Sequence, residues 1–173
     1  DQTERLLDAL RTRQLDAALI GLPWKAPGID TMALADDEFL LVAACSHRLA
    51  TSEHLVPQDL ATEDVLLLED GHCLRDHALS ICAMPSGHGP TDVAATSLPT
   101  LVHMVAGGLG VSLLPKLAAD SGVAAGADVV IRAFDRPVIG RQIGIAWRSG
   151  SPRAAEAKMI GEIVRKALAK ANA

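Results

Sequence analysis

The sequence has no tyrosine, and its aromatic residues are limited to two tryptophans and two phenylalanines among 173 residues. So few rings argue against a protein that reads nucleic acid by stacking bases. Positive charge is scarce as well, because 16 lysines and arginines stand against 21 aspartates and glutamates, for a net charge of −5. This balance, without a basic cluster, excludes strong DNA binding by this chain alone.

Long hydrophobic runs are also lacking. No apolar run approaches the roughly 18 residues of a membrane span, and no signal peptide is expected at the start of the chain. Three cysteines are too few for a secreted disulfide scaffold. These absences predict a cytoplasmic protein without membrane contact, in which a disulfide would be transient and regulatory. A hydrophobic content of 49% is ample for a packed core.

Strand-like and helix-like segments alternate along the chain. This pattern predicts an α/β fold with mainly parallel sheets and helices on both faces. The chain should open with a helix over 1–13, capped by Asp1 with Glu4 in a capping box. Two strands are predicted at 29–34 and 38–44, separated by residues 35–37.

The closing helix is predicted over 152–171. Its apolar residues recur every four positions and are expected to form the buried face, namely Ala155, Met159, Ile163 and Ala167.

Cys73 carries the strongest chemical signal. It falls in the first turn of a helix predicted over 72–84, where backbone N–H groups and the helix dipole favour negative charge. His72 and Arg75 lie beside it in the sequence, so its thiol should ionise more readily than a free one. An ordinary buried cysteine is the alternative, and these cationic neighbours favour the reactive thiol.

The segment Gly71-His72-Cys73-Leu74-Arg75-Asp76, followed by a second cysteine at Cys82, resembles the peroxide-sensing segment of the OxyR family of LysR-type transcription regulators. The resemblance covers nearly the whole chain and is specific at the cysteine segment. It continues through more generic LysR-type stretches, Thr96-Ser97-Leu98, Met104-Val105-Ala106, Gly110–Pro115 and Ile143-Gly144.

This resemblance implies a two-lobed regulatory domain like the type 2 periplasmic solute-binding proteins. Lobe I would comprise residues 1–35 and 142–173, and lobe II residues 36–141 with the redox cysteines. Lobe I would lack its first strands, because a helix leading straight into a strand looks like the second half of a βαβ unit. In the family, the preceding portion holds a winged helix-turn-helix DNA-binding domain and a linker helix.

The resemblance also implies a site. Hydrogen peroxide would oxidise Cys73, which would then form a disulfide with Cys82 and remodel the oligomer. The residues that match the family's peroxide-binding groups are Thr3, His72, Cys73, Asp76 and Arg141. Arg141 and Thr3 would supply positive charge and hydrogen-bond donors to the leaving oxygen, and Asp76 would hold a water or the arginine.

A disulfide between Cys73 and Cys82 conflicts with an intact helix. Nine residues of helix separate the two sulfurs by roughly 13 Å of rise and place them on opposite faces. A disulfide needs Cα atoms within about 7 Å of each other. Oxidation is therefore expected to unwind at least two turns of this helix, and that refolding would be the signal.

Thr96 and Ser97 support an alternative function. They can cap the next helix, with Pro99 in its first turn. Helix starts that follow parallel strands are also where small ligands bind in open α/β sheets. The alternative is therefore a LysR-type or solute-binding-like domain that binds a small organic ligand in the cleft between lobes.

A thiol enzyme with Cys73 as nucleophile is a third hypothesis. The sequence has no thioredoxin-like Cys-x-x-Cys pair to recycle the thiol, so enzyme activity is not predicted. No metal or cofactor is predicted either, since His72, Cys73, His77 and Cys82 match no common zinc spacing. Cys45 has no comparable neighbours and is expected to pack in or just after a strand.

The partners follow from the resemblance. The signal would be hydrogen peroxide, the regulatory domain would form a homodimer, and the full-length protein would form a homotetramer. DNA would be bound only through the N-terminal domain, and RNA polymerase would be contacted by the full-length protein.

Overall fold

A computed structural model describes residues 2–24, 26–69, 75 and 94–171. The described helices are α1 (Thr3–Arg11), α2 (Leu98–Ala106), α3 (Lys116–Asp120) and α4 (Ala154–Ala171), with 3-10 turns at Arg48–Ala50 and Pro57–Thr62. The described strands are β1 (Ala17–Leu22), β2 (Ile29–Ala44), β3 (Ser112–Pro115), β4 (Val129–Ala133) and β5 (Gly140–Arg148). Of the helix predicted over 72–84, only Arg75 is described, and it is helical.

The chain divides into two compact units. Unit 1 contains Asp1–Asp37 and Arg141–Ala173, and unit 2 contains Glu38–Gly140. The chain thus leaves unit 1 along β2 and returns to it along β5.

Unit 1 is a sheet with a helix on each face. Its strands lie in the order β1-β5-β2, and β1 pairs antiparallel with β5 from Ala17↔Trp147 to Leu22↔Gln142. One face packs on α1 through Leu7 and Leu10, with strand residues such as Ile20 and Ala146. The other face packs on α4, because successive side chains of a strand point to opposite faces. This second cluster consists of Leu34, Ile145, Trp147 and Ala157.

The first helix is shorter than predicted. It begins at Thr3, and its N-cap is Gln2, whose side chain makes no capping hydrogen bond. The structure thus gives Gln2 as the N-cap, and Asp1, the predicted cap, lies outside the described residues. Leu7 and Leu10 of this helix are buried.

The buried face of α4 differs from the prediction. Met159 and Ile163, expected to be buried, are 61% and 62% exposed. The helix instead faces the sheet with Ala157 and Gly161, which are small enough for close approach. A Cβ on Gly161 would lie 2.4 Å from Met32 Cε and 3.0 Å from Ile145 Cγ2. Ala155 and Ala167 are exposed too.

The strand β2 is continuous over 16 residues from Ile29 to Ala44. The sequence had predicted a break at 35–37, because aspartate is depleted in strands. The two aspartates are accommodated because β5 bonds both of them. Arg141 Nε donates to Asp37 Oδ2 at 3.1 Å, and Gln142 Nε2 donates to Asp36 Oδ1 at 3.0 Å.

In unit 2 the second half of β2 lies between β3 and β4. Both pairings are antiparallel, with registers such as Leu41↔Leu113 and Leu41↔Arg132. The sequence had predicted mainly parallel sheets. The strand–helix–strand segment β3-α3-β4 does give two strands of the same direction, but β2 runs between them in the opposite direction. Among the described residues, parallel pairing occurs as single bridges, Val65↔Val111 and Leu68↔Ala95.

Candidate functional site

The structure describes four of the predicted site residues. Thr3 and Arg141 belong to unit 1, and Thr96 and Ser97 belong to unit 2. The other four, His72, Cys73, Asp76 and Cys82, lie outside the described residues, as does the helical geometry predicted for the two redox cysteines.

Thr3 is the first residue of α1 and is only 3% exposed. Its burial sets it apart from the rest of the first turn, where Glu4 and Arg5 are exposed. A hydroxyl at this position lies beside the unpaired N–H groups of a helix start, where anionic oxygens are stabilised.

Arg141 lies at the start of β5 and forms a partly buried ion pair. Its side chain is 15% exposed, and the side chain of Asp37, which accepts from Nε, is fully buried. Within the described part of the chain, Asp37 is the only buried ionisable side chain. The predicted peroxide-binding arginine is therefore held by a carboxylate of the segment 35–37, which was expected to separate two strands.

A signal for Asp37 was present in the sequence. Residues 37, 39 and 41 alternate with more exposed positions, and Phe39 and Leu41 are fully buried. An aspartate in phase with two buried residues of a strand faces the same side of the sheet as they do. A buried carboxylate needs a charged or hydrogen-bonding partner.

The segment 64–69, which leads directly to the cysteine segment, is held by a series of described contacts in unit 2. Val111 N–H donates to Asp64 O at 2.9 Å, and Leu66 N–H donates to Val111 O at 2.8 Å. Further along, Glu69 N–H donates to Ala95 O at 3.1 Å. This segment pairs through single bridges, Val65↔Val111 and Leu68↔Ala95.

Two side chains reinforce the same segment. The buried Ser112 hydroxyl donates to Leu66 O at 2.7 Å. Arg75 Nη1 donates to Leu68 O at 3.1 Å, so this arginine also holds the end of the segment 64–69. Between these groups lies a cavity of about 10 Å³, lined by Leu66, Leu67, Leu68, Arg75, Leu101, Ser112 and Leu113. It has room for about one water molecule, not for an organic ligand.

Ser97 is the N-cap of α2, as predicted. Its Oγ accepts from Thr100 N–H at 3.3 Å and lies 2.9 Å from Thr100 Oγ1. Pro99 occupies the first turn of the helix, which is also as predicted. The additional role of Thr96 and Ser97 in ligand binding stays a prediction.

Cys45 lies just after β2, but it is exposed and does not pack in the core. The prediction of a packing role is therefore wrong. A hydrogen bond to the Asp128 carboxylate raises the pKa of the Cys45 thiol, and desolvation and the negative charge of Asp128 act in the same direction. This thiol is thus disfavoured as a nucleophile, because the thiolate is the reactive form.

Over residues 2–24, 26–69, 75 and 94–171, no group of three or more His, Cys, Asp or Glu side chains is placed to hold a metal ion. Over the same residues, every helix is too short or too polar to cross a membrane. The four residues considered as metal ligands in the sequence lie outside the described residues, namely His72, Cys73, His77 and Cys82.

Comparison with known sequences identifies the family. A family model described as LysR substrate binding domain matches residues 1–169. A probable hydrogen peroxide-inducible genes activator from Streptomyces viridosporus is 40% identical over 170 residues, which cover 97% of this chain and 54% of that protein. The chain therefore spans about half the length of the curated relatives it matches.

Solved structures agree with the sequence comparison. A cysteine-to-serine mutant of OxyR from Corynebacterium glutamicum, solved with hydrogen peroxide bound, matches with a TM-score of 0.91 and 33% identity, over 99% of this chain and 54% of that chain. The reduced form of the OxyR regulatory domain from Pseudomonas aeruginosa matches with a TM-score of 0.80 and 36% identity, over 95% of this chain and 80% of that chain.

These matches define the class of protein as a regulatory domain with a periplasmic-binding-protein-like α/β fold. The chain belongs to the LysR substrate-binding domain family. The resemblance to OxyR regulatory domains, first seen in the cysteine segment, is confirmed across nearly the whole chain.

Proposed function

We propose that this chain is the hydrogen-peroxide-sensing regulatory domain of a LysR-type transcription regulator. The observation that carries the proposal is the close match to an OxyR protein solved with hydrogen peroxide bound. The chain retains the residue types that the chemistry requires, with a cysteine beside histidine, arginine and aspartate at 72–76 and a second cysteine at position 82.

The proposed reaction begins at Cys73. Its thiolate attacks one oxygen of hydrogen peroxide, an S–O bond forms, and the O–O bond breaks. The electron pair of that bond leaves with the second oxygen as hydroxide, so the sulfur is oxidised to a sulfenic acid and the peroxide is reduced. The thiol of Cys82 then displaces the sulfenic hydroxyl, giving a disulfide and one molecule of water. A dithiol reductant returns both cysteines to thiols.

Four side chains would bind the peroxide, namely Thr3, His72, Asp76 and Arg141. Arg141 would stabilise the negative charge that develops on the leaving oxygen, since a fixed cation acts most strongly where charge appears in the transition state. The low exposure of Thr3 and of the Arg141 pair supports this assignment, because electrostatic interactions strengthen away from water.

In the full-length protein, oxidation would change transcription by remodelling the oligomer. We identify unit 1 with regulatory lobe I and unit 2 with regulatory lobe II, which carries the redox cysteines. The proposed assembly is a homodimer through the regulatory domain and a homotetramer overall, located in the cytoplasm. DNA would be bound by a separate N-terminal domain, with RNA polymerase as the further partner.

Titration of the purified chain with hydrogen peroxide tests the proposal. Free thiols are counted after each addition, and peroxide consumption is followed in the presence of dithiothreitol. Loss of two thiols per chain, with one equivalent of peroxide consumed in the absence of reductant, is expected. No reaction would favour a domain that binds a small organic ligand, and fast continuous consumption with reductant would favour a thiol peroxidase. Cys73→Ser is the control and should lose the peroxide reaction.

A further inference from the structure

Asp37 and Arg141 form a partly buried ion pair between two neighbouring strands of unit 1. Asp37 is fully buried and accepts from Arg141 Nε at 3.1 Å. Removing a carboxylate from water carries a desolvation cost that a single ion pair often only balances, and apolar replacements of such pairs are commonly as stable. The two strands also have another side-chain link next to this pair, the bond from Gln142 to exposed Asp36. The carboxylate of Asp37 accepts directly from Arg141, so the position of that guanidinium group depends on it.

The geometry of the pair fixes the orientation of the guanidinium group. This group is planar, so a bond at Nε sets the direction of the whole plane. Aspartate has a short side chain, and here it is anchored on β2 and closed off from solvent. Asp37 is therefore a rigid partner that holds the arginine at Nε, the guanidinium nitrogen nearest the side-chain stem.

We propose that Asp37 is a positioning residue for Arg141, which it orients for the reaction of Cys73 with hydrogen peroxide. This inference rests on the proposed function, in which Arg141 stabilises the oxygen that leaves as hydroxide when the S–O bond forms. An arginine of the right charge and the wrong orientation would lose much of that effect, since displacement of about 1 Å at a reacting centre can reduce a rate roughly 100-fold.

The test compares two aspartates that are adjacent on β2. Asp37→Asn removes the buried charge, and Asp36→Asn removes the exposed one. For each variant of the full 173-residue chain, two second-order rate constants of Cys73 are measured, one with hydrogen peroxide and one with iodoacetamide. Both are measured in a Cys45→Ser background, and folding is checked by urea denaturation.

Asp37→Asn should lower the peroxide rate constant by roughly 10- to 100-fold and leave the alkylation rate nearly unchanged. A merely structural role would change both rates together, because alkylation reports the exposure and ionisation of the same thiol. Asp36→Asn should leave both rates at the wild-type level. Asp37→Glu keeps the negative charge and should show a peroxide rate between those of wild type and Asp37→Asn.

An Arg141→Lys background tests whether Asp37 acts through the arginine. If it does, Asp37→Asn should produce little additional loss there, since residues that act as one unit are not additive. An unchanged effect in that background would overturn the proposal, as would a wild-type peroxide rate in Asp37→Asn. If Asp37→Asn does not fold, Asp37→Glu is the deciding variant. A wild-type peroxide rate in Asp37→Glu would also overturn the proposal.

If Cys73 of the wild-type chain does not react with hydrogen peroxide, the proposed function is wrong. If Cys73 reacts normally in wild type and equally fast in Asp37→Asn, the sensing function stands and the positioning role of Asp37 is wrong.

Discussion

Replacing Gly110 by alanine tests the contact that holds the segment leading to the cysteines. A Cβ at this position would lie 2.1 Å from the carbonyl oxygen of Asp64, and that oxygen belongs to the backbone. The carbonyl would have to retreat by about 1 Å or more to reach van der Waals contact. Gly110 also has a φ of +153°, which L side chains rarely adopt, and such backbone strain costs about 1–3 kcal/mol.

The retreat of Asp64 would break local pairing as well. The bonds at risk are Val111 N–H to Asp64 O, at 2.9 Å, and Leu66 N–H to Val111 O, at 2.8 Å. Each contributes about 1 kcal/mol, so the free energy of unfolding should fall by about 3–5 kcal/mol in total. For a chain of this size, the melting temperature should fall by roughly 10 °C.

Urea and thermal denaturation followed by circular dichroism measure this loss. Gly107→Ala is the matched control, because Gly107 has a φ of −72° and the nearest atom to its added Cβ is Met104 O at 3.4 Å. The control should lie within about 0.5 kcal/mol of wild type. If Gly110→Ala is as stable as the control, the described approach of Gly110 to Asp64 does not constrain this segment.

Three further predictions concern the thiols and the charge. Cys73→Ser should abolish the peroxide-induced loss of thiols, and Cys45→Ser should preserve it. Mass spectrometry of the oxidised chain measures both. A Cys45→Ser variant that no longer forms a disulfide would contradict the assignment of Cys73 as the reactive thiol. Asp128→Asn should lower the pKa of Cys45 and speed its alkylation by iodoacetamide near pH 8, because the carboxylate that raises this pKa is gone; an unchanged rate would show that Asp128 does not control the thiol. At physiological salt, this chain alone, with its net charge of −5, should not shift promoter DNA in a gel, and a sequence-specific shift would refute that expectation.

Short-range features of the fold were predictable from the sequence. The cap at Ser97 and the proline at position 99 predict the start of α2, because both act within one helical turn. A proline likewise opens the 3-10 turn Pro57–Thr62. The fold class and family followed from longer patterns, namely the alternation of helices and strands and the cysteine segment.

The sheet pairing was not predictable, since it depends on residues far apart in the chain. The phase of Asp37 with Phe39 and Leu41 indicates a buried carboxylate that needs a partner, but nothing near it identifies Arg141, more than 100 positions away, as that partner. In unit 2 the strand pairs are likewise antiparallel because β2 lies between β3 and β4 and runs opposite to both.

The sequence by itself determined which residue types are available for the chemistry, because the cysteine, histidine and arginine positions are read directly and their matches to the family are local. Only the tertiary structure decided what surrounds them. Helix α4 shows the reason, since its sequence carries apolar or small residues on two faces and only packing against Met32 and Ile145 selects the face with Ala157 and Gly161. Arg141 shows it for the site, because its partner Asp37 is distant in sequence and is buried only when β2 and β5 come together.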